Sequence, residues 1–241
     1  MSDEIRIQFT RFSAFYSPLI ATIAGGFLRE EGFTPKHSLA PAGTSALAGV
    51  VAGTVDVCQS APSQGFGPLE KGQAPPAAHF AQINEMDGFF LTARAPDPAF
   101  TWTTLRGKRV LVDHGGQPLA MFKYACHKRG VAYADLVAVD VPSGQMDQTF
   151  RRGEGDYIHQ QGPAPQQLEH DGVGHVVASV GEAIGPCAFS SLAAYQKLGC
   201  WTPHVEITRQ AFEATLDIFE HAKLITKRHR YEDVVAPPPG S

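Results

Sequence analysis

Apolar and polar residues alternate from Ile5 to Thr10, the period of a strand with one covered face. Ser17-Pro18 then supplies a polar cap and a proline in the first helical turn. The apolar run that follows predicts a helix to Leu28, stopped by Gly32. A strand is expected over Lys36–Leu39, a helix capped by Gly43-Thr44-Ser45 runs to Ala52, and Val55–Cys58 reads as a third strand leading into the polar loop Gln59-Ser60-Ala61-Pro62. Ala74-Pro75-Pro76 is a rigid break. His79–Asn84 and Gly88–Ala93 read as strands on either side of the turn Asn84-Glu85-Met86-Asp87. Arg94–Thr104, rich in Pro, Asp and Thr, is the expected crossing to a second lobe.

From Arg109 the same order of signals returns. Val110–Val112 is a short buried-type strand, a helix opened by Asp113-His114-Gly115-Gly116-Gln117-Pro118 runs to Lys128, Val137–Val141 is a strand, Met146–Arg152 a helix and Asp156–His159 a strand. Val176–Val180 and Cys187–Ser190 bring the chain back. Phe212, Leu216, Phe219 and Leu224 lie near helical spacing in a closing amphipathic helix, and Pro237–Ser241 reads as a frayed tail. The punctuation repeats. Gly32, Gly43 and Gly53-Thr54-Val55-Asp56 are echoed by Gly130, Gly144 and Gly153-Glu154-Gly155-Asp156, with glycine serving the left-handed backbone just past a helix. The pattern predicts an α/β protein of two similar lobes with an interlobe cleft. Residues 1–93 form the first lobe, 189–241 return to it, and 94–188 form the second.

Composition narrows the function. With 43% hydrophobic and 18% charged residues among 241, the chain has enough apolar material for a sizeable core. A formal charge of −4 gives no basic footprint, so no nucleic-acid partner is expected. No apolar run approaches the ~20 residues that span a bilayer, so no membrane insertion is expected. Met1-Ser2-Asp3-Glu4 leads directly into the first strand with no secretory pattern. The location expected is cytoplasmic as the sequence stands, or periplasmic if an export signal was removed. Cys58, Cys126, Cys187 and Cys200 have neither CxxC nor zinc spacing and read as buried thiols, with a disulfide as the alternative.

Catalytic chemistry finds little to stand on. Gly115-Gly116-Gln117 matches neither dinucleotide nor P-loop patterns, no GxSxG elbow occurs, and the ten histidines form no compact metal motif. Glu154 and Asp156 read as solvated, as do His127, His170, His175 and His229. No catalytic group, metal or cofactor is expected. In open α/β sheets ligands gather at the carboxyl ends of strands and at helix N-termini, where free N–H groups point outward. That edge collects Phe15, Tyr16, Ser17, Gly43, Thr44, Gln59, Ser60 and Asn84 in the first lobe, and His114, Gly115, Gly116, Gln117, Tyr157 and Gln160 in the second. Neutral amides there suit a ligand that needs hydrogen bonds, and the aromatic rings offer flat contact. The expected occupant is a small polar or heteroaromatic molecule.

The turn Phe15-Tyr16-Ser17-Pro18-Leu19, Gly43-Thr44-Ser45, the lead-in Gly53-Thr54-Val55-Asp56-Val57 and Leu105-Arg106-Gly107-Lys108-Arg109-Val110 resemble the substrate-binding proteins of sulfonate, nitrate and thiamine-pyrimidine uptake. That family includes the pyrimidine synthase of thiamine biosynthesis. The resemblance covers about residues 5–190 and implies a type II periplasmic-binding-protein fold closing on its ligand. It implies a solute-binding protein for ABC-type uptake, with a transporter permease as partner. An enzyme of the same fold acting on a pyrimidine precursor or an aromatic acid, or a cytoplasmic ligand sensor, is the alternative. Three departures stand out: periplasmic members carry an export signal or lipoprotein cysteine and neither is read here, helices expected between Ser191 and Trp201 have no sequence here, and the synthase's cysteine-rich motif and active-site histidine have no counterpart.

Overall fold

The computed structural model describes residues 3–10, 14–41, 44–113, 116–187, 190–194 and 207–236. The chain divides into two compact units, Met1–Glu85 with Cys187–Ser241, and Met86–Pro186. The first contains β1 (Asp3–Phe9), α1 (Ser17–Ala24), α2 (Phe27–Glu30), β2 (Phe33–Leu39), α3 (Ala46–Val51), β3 (Val57–Ser60), α4 (Phe66–Glu70) and β4 (Ala78–Asn84). The second contains β5 (Phe89–Ala93), β6 (Arg109–Asp113), α5 (Gly116–Lys128), β7 (Val137–Val141), α6 (Met146–Arg151), β8 (Tyr157–Gln161), α7 (Ala164–His170), β9 (His175–Ser179) and α8 (Val180–Ile184). The chain then returns to the first unit with β10 (Ser190–Ala194), α9 (Arg209–His221) and α10 (Tyr231–Val234).

Each unit is built on a five-stranded sheet, ordered β2-β1-β3-β10-β4 in the first and β7-β6-β8-β5-β9 in the second. In each, the first three strands are parallel and the fourth runs against both its neighbours. Parallel neighbours need a crossover of a dozen or more residues, which the helices between them supply. Ile7 and Val110 therefore lie in different sheets, each in the centre of an equivalent parallel triplet.

The sequence echo has a structural cause. Asp56 receives the Arg6 N–H on its carboxylate at 2.7 Å and returns its own N–H to the Arg6 carbonyl at 2.9 Å. Asp156 does the same with Arg109, at 2.8 and 2.7 Å. An aspartate placed just ahead of a strand thus fixes that strand against its neighbour, once per unit. Gly155, beside Asp156, has φ +73°, and a Cβ there would lie 2.7 Å from Leu111, so both backbone and space exclude a side chain.

Helices bury the alternate faces of these strands. In the first unit Ile7, Phe9, Tyr16, Leu19 and Val57 form one cluster, and Ala46, Leu47, Val50, Val55 and Cys58 another. In the second, Leu111, Met146, Phe150, Ile158 and Leu168 pack together. α9 buries Phe212, Leu216 and Phe219, and Phe66 of α4 meets Phe212 and Phe219 edge-on at 6.0 and 5.4 Å. No helix among the described residues is long and apolar enough to cross a membrane.

Several expectations need correction. Phe89–Ala93, assigned to the first lobe, pairs with β8 and β9 and so belongs to the second unit. Arg94–Thr104 consequently lies inside the second unit and is no crossing. Arg94 anchors its start by donating to the carbonyls of Gly155 at 2.6 Å, Phe150 at 2.8 Å and Glu154. The chain leaves the first unit at Glu85 and re-enters it at Cys187. The helix expected from Pro18 to Leu28 breaks at Gly25-Gly26, two poor helix formers side by side. Strands β3 and β8 run two residues past their expected ends, so Gln59, Ser60, Gln160 and Gln161 are strand residues. Leu224 lies beyond α9 and is 52% exposed. His229 is only 6% exposed: its ring packs on Phe66, and its Nε2 lies 2.9 Å from Glu70 Oε1. His175 is half-buried as the first residue of β9. Cys58 and Cys126 are free and buried and Cys187 is buried, whereas Cys200, Pro237–Ser241 and residues 195–201 lie outside the described residues.

Candidate functional site

In the first unit the carboxyl ends of β1, β3 and β4 all open on one edge of the sheet, because these strands run in the same direction. There β3 and β4 bring together three predicted residues. Gln59 is 1% exposed and donates through Nε2 to Asn84 Oδ1 at 3.2 Å, with Ser60 buried next to it. An amide that holds another amide is fixed in orientation, and fixed polar groups are what selective ligand binding requires. Ser17 is exposed as the first residue of α1, and Thr44 is exposed and donates its hydroxyl to the Pro41 carbonyl at 2.7 Å.

Tyr16 is different. Its ring is buried edge-on to Phe9 and Phe15, each at 5.5 Å, so it fills the core between sheet and helix. Phe66 is core as well. The cap of α3 is Ser45, which accepts the Leu47 N–H at 3.1 Å and donates its hydroxyl to Gln64 Oε1 at 2.7 Å. Gln64 is a polar residue at this edge that the sequence reading missed. Gly43 lies outside the described residues.

In the second unit α5 begins at Gly116, exposed and with open space where a Cβ would sit, although its φ of +63° favours glycine. Gln117 is buried, with Nε2 4.0 Å from Met121 Sδ. His114 and Gly115 lie outside the described residues. Gln160 sits near the carboxyl end of β8, and its buried Oε1 has no hydrogen-bond partner among the described residues. Tyr157 is not with them. It opens β8 opposite Val110, four residues or about 13 Å from Gln161, and packs on Phe100 at 6.0 Å. It belongs to the amino-terminal edge of its sheet, and successive strand residues also place Gln160 and Tyr157 on opposite faces.

Two titratable groups of this unit escaped the sequence reading. His159 is fully buried between Phe89 and Phe122, with ring centroids 4.8 and 4.6 Å away, and neither ring nitrogen has a partner among the described residues. Burial pushes its pKa down to about 3, so the ring is neutral at ordinary pH. Asp87 is 4% exposed, accepts the Phe89 N–H at 3.0 Å through Oδ1, and leaves Oδ2 buried without a partner. Burial raises its pKa to about 7, against the lowering effect of that N–H. Neither could be found from neighbours in sequence, because burial is a property of the assembled sheet.

The Cys58 and Cys126 thiols are pushed up to about 12 by burial, which leaves them un-ionised and unreactive. Among the described residues no group of three His, Cys, Asp or Glu is placed to hold a metal ion. A cavity of about 870 Å³ lies in the first unit between Gly72–Ala77 and Lys227–Asp233. It contains none of the predicted residues and adjoins the start of β4, the opposite end from Asn84.

This architecture is the type II periplasmic-binding-protein-like α/β fold. Its solved neighbours include the aliphatic sulphonate binding protein SsuA of Escherichia coli, with a TM-score of 0.67 at 14% identity over 81% of this chain and 66% of that one. The ligand-binding component of an ABC-type import system from Staphylococcus aureus, solved with zinc bound, has a TM-score of 0.72 at 10% identity over 98% and 97% of the two chains. In sequence the chain is 26% identical over 196 residues to "Putative binding protein YtlA" of Bacillus subtilis (strain 168), covering 80% of this chain. It spans 59% of the length of that relative. No protein-family model matches the chain.

Proposed function

We propose that the protein is a solute-binding protein that captures a small polar or heteroaromatic molecule, without chemistry, for an ABC-type importer. The observation that carries this reading is the Gln59–Asn84 amide pair, held in fixed orientation at the carboxyl ends of β3 and β4 in a fold whose solved neighbours are named as binding proteins. The ligand contacts are Phe15, Ser17, Thr44, Gln59, Ser60 and Asn84 from the first unit with Gly116, Gln117 and Gln160 from the second, and Gly43, His114 and Gly115 complete the set. Tyr16 and Tyr157 support their units from within instead of touching ligand. The SsuA proteins are named for sulfonates, so alkanesulfonates join pyrimidines and aromatic acids among the molecules to try.

The test is incubation of the full chain with each candidate, followed by thermal unfolding and mass spectrometry of the recovered small molecule. A ligand at 100 times its dissociation constant should stabilise the protein by about 2.7 kcal/mol and be recovered unchanged. Product formation would assign an enzyme of this fold instead.

A further inference from the structure

We infer that Asp87 is a proton-operated latch on the turn that carries the chain out of the first unit, and that its ionisation frees this turn from α8. The turn is held at both ends. Cys187 N–H donates to the Glu85 carbonyl at 2.7 Å, which ties the outgoing and returning segments together. Two residues on, the backbone of Asp87 lies so close to α8 that a Cβ on Gly181 would fall 2.4 Å from the Asp87 carbonyl oxygen. The Asp87 side chain is itself buried, 4% exposed. Its Oδ1 accepts the Phe89 N–H at 3.0 Å, and its Oδ2 reaches neither solvent nor a described donor.

A neutral carboxyl tolerates such a site far better than a carboxylate, which needs several donors or water. Once charged, Oδ2 has to be hydrated, and water reaches it only if the turn parts from α8. Among the described residues no cation partners this carboxyl. Of the charged groups on the packed elements, Glu85 and Glu182 are exposed, and Lys128 and Arg129 at the end of α5 donate to the carbonyls of Ile184 and Glu182. Cys187 is a buried thiol. Burial therefore dominates the carboxyl, which titrates near neutrality, where a modest pH change alters its charge. The latch does not depend on the ligand reading.

Hydrogen exchange of the full chain from pH 5.5 to 8.5, corrected for intrinsic rates, tests it. In the wild type, protection of the amides in 87–91 and 180–184 should fall about tenfold or more as pH rises through neutrality. Asp87→Asn keeps the acceptor for Phe89 and should hold protection flat, whereas Gly181→Ala should lose it at every pH. A measurement on the wild type alone guards against misfolded variants: the Asp87 carboxyl ¹³C shift should titrate near neutrality, in step with protection. An ordinary carboxylate titration near pH 4, or the same pH profile in wild type and Asp87→Asn, overturns the latch.

Discussion

His159 and Asp87 impose opposite pH dependences on the same small unit. The folded pKa of His159 is depressed below its unfolded value, so its stabilising contribution is complete above about pH 6.5 and is lost as pH falls towards 3. The folded pKa of Asp87 is raised, so its contribution is complete below about pH 4 and is lost as pH climbs through 7. His159→Phe removes two buried unpartnered nitrogens from a stack of rings. It should leave stability at pH 7 unchanged or improved by about 1 kcal/mol and flatten the acid limb in thermal unfolding. Asp87→Asn should stabilise by ~2–4 kcal/mol at pH 8 and by little at pH 5. If it gains nothing at pH 8, the buried carboxyl is not ionising as described. Neither residue was legible in the sequence: His159 stands in the run Tyr157-Ile158-His159-Gln160-Gln161, which looks like a strand entering solvent. Its burial comes from Phe122, a ring delivered by a helix more than thirty residues earlier.

Secondary elements were legible where the backbone itself demands a residue type. The paired Gly-x-x-Asp signals stood out because a left-handed turn needs glycine and the strand's neighbour needs a carboxylate acceptor. Asp56→Ala and Asp156→Ala should each cost ~1–2 kcal/mol in denaturant unfolding, by orphaning the Arg6 and Arg109 amides. The Asp56 loss should be the larger, since Asp56 also clasps the Arg6 guanidinium at 2.9 and 2.6 Å. Gly155→Ala should cost more than either, ~2–4 kcal/mol, through strain and the Leu111 clash. Long-range pairing was not legible. β4 and β5 read as neighbours because four residues separate them, yet each joins a different sheet, and no local pattern distinguishes a hairpin from a passage between units. The same limit misplaced Tyr157: its strand was recognised, but its end of the strand was not weighed against the direction of β6.

At the scale of the whole molecule, each of two sheets of matching order opens the carboxyl ends of its parallel strands on one edge, with amides and hydroxyls at that edge in the first unit and Gln160 in the second. Capture is the reading proposed from these groups, and they do not single out one ligand, because amides and hydroxyls accept many partners. The central claim is that these edges hold a small molecule and leave it intact. It is tested most directly by calorimetric titration of the full chain with a ligand found by thermal shift, comparing wild type, Gln59→Ala and Arg230→Ala, with mass spectrometry of the ligand afterwards. Gln59→Ala should weaken binding by about tenfold or more, Arg230→Ala, at the distant cavity, should leave it unchanged, and the ligand should be recovered whole. Equal affinity in wild type and Gln59→Ala, loss of binding in Arg230→Ala, or conversion of the ligand would contradict the account.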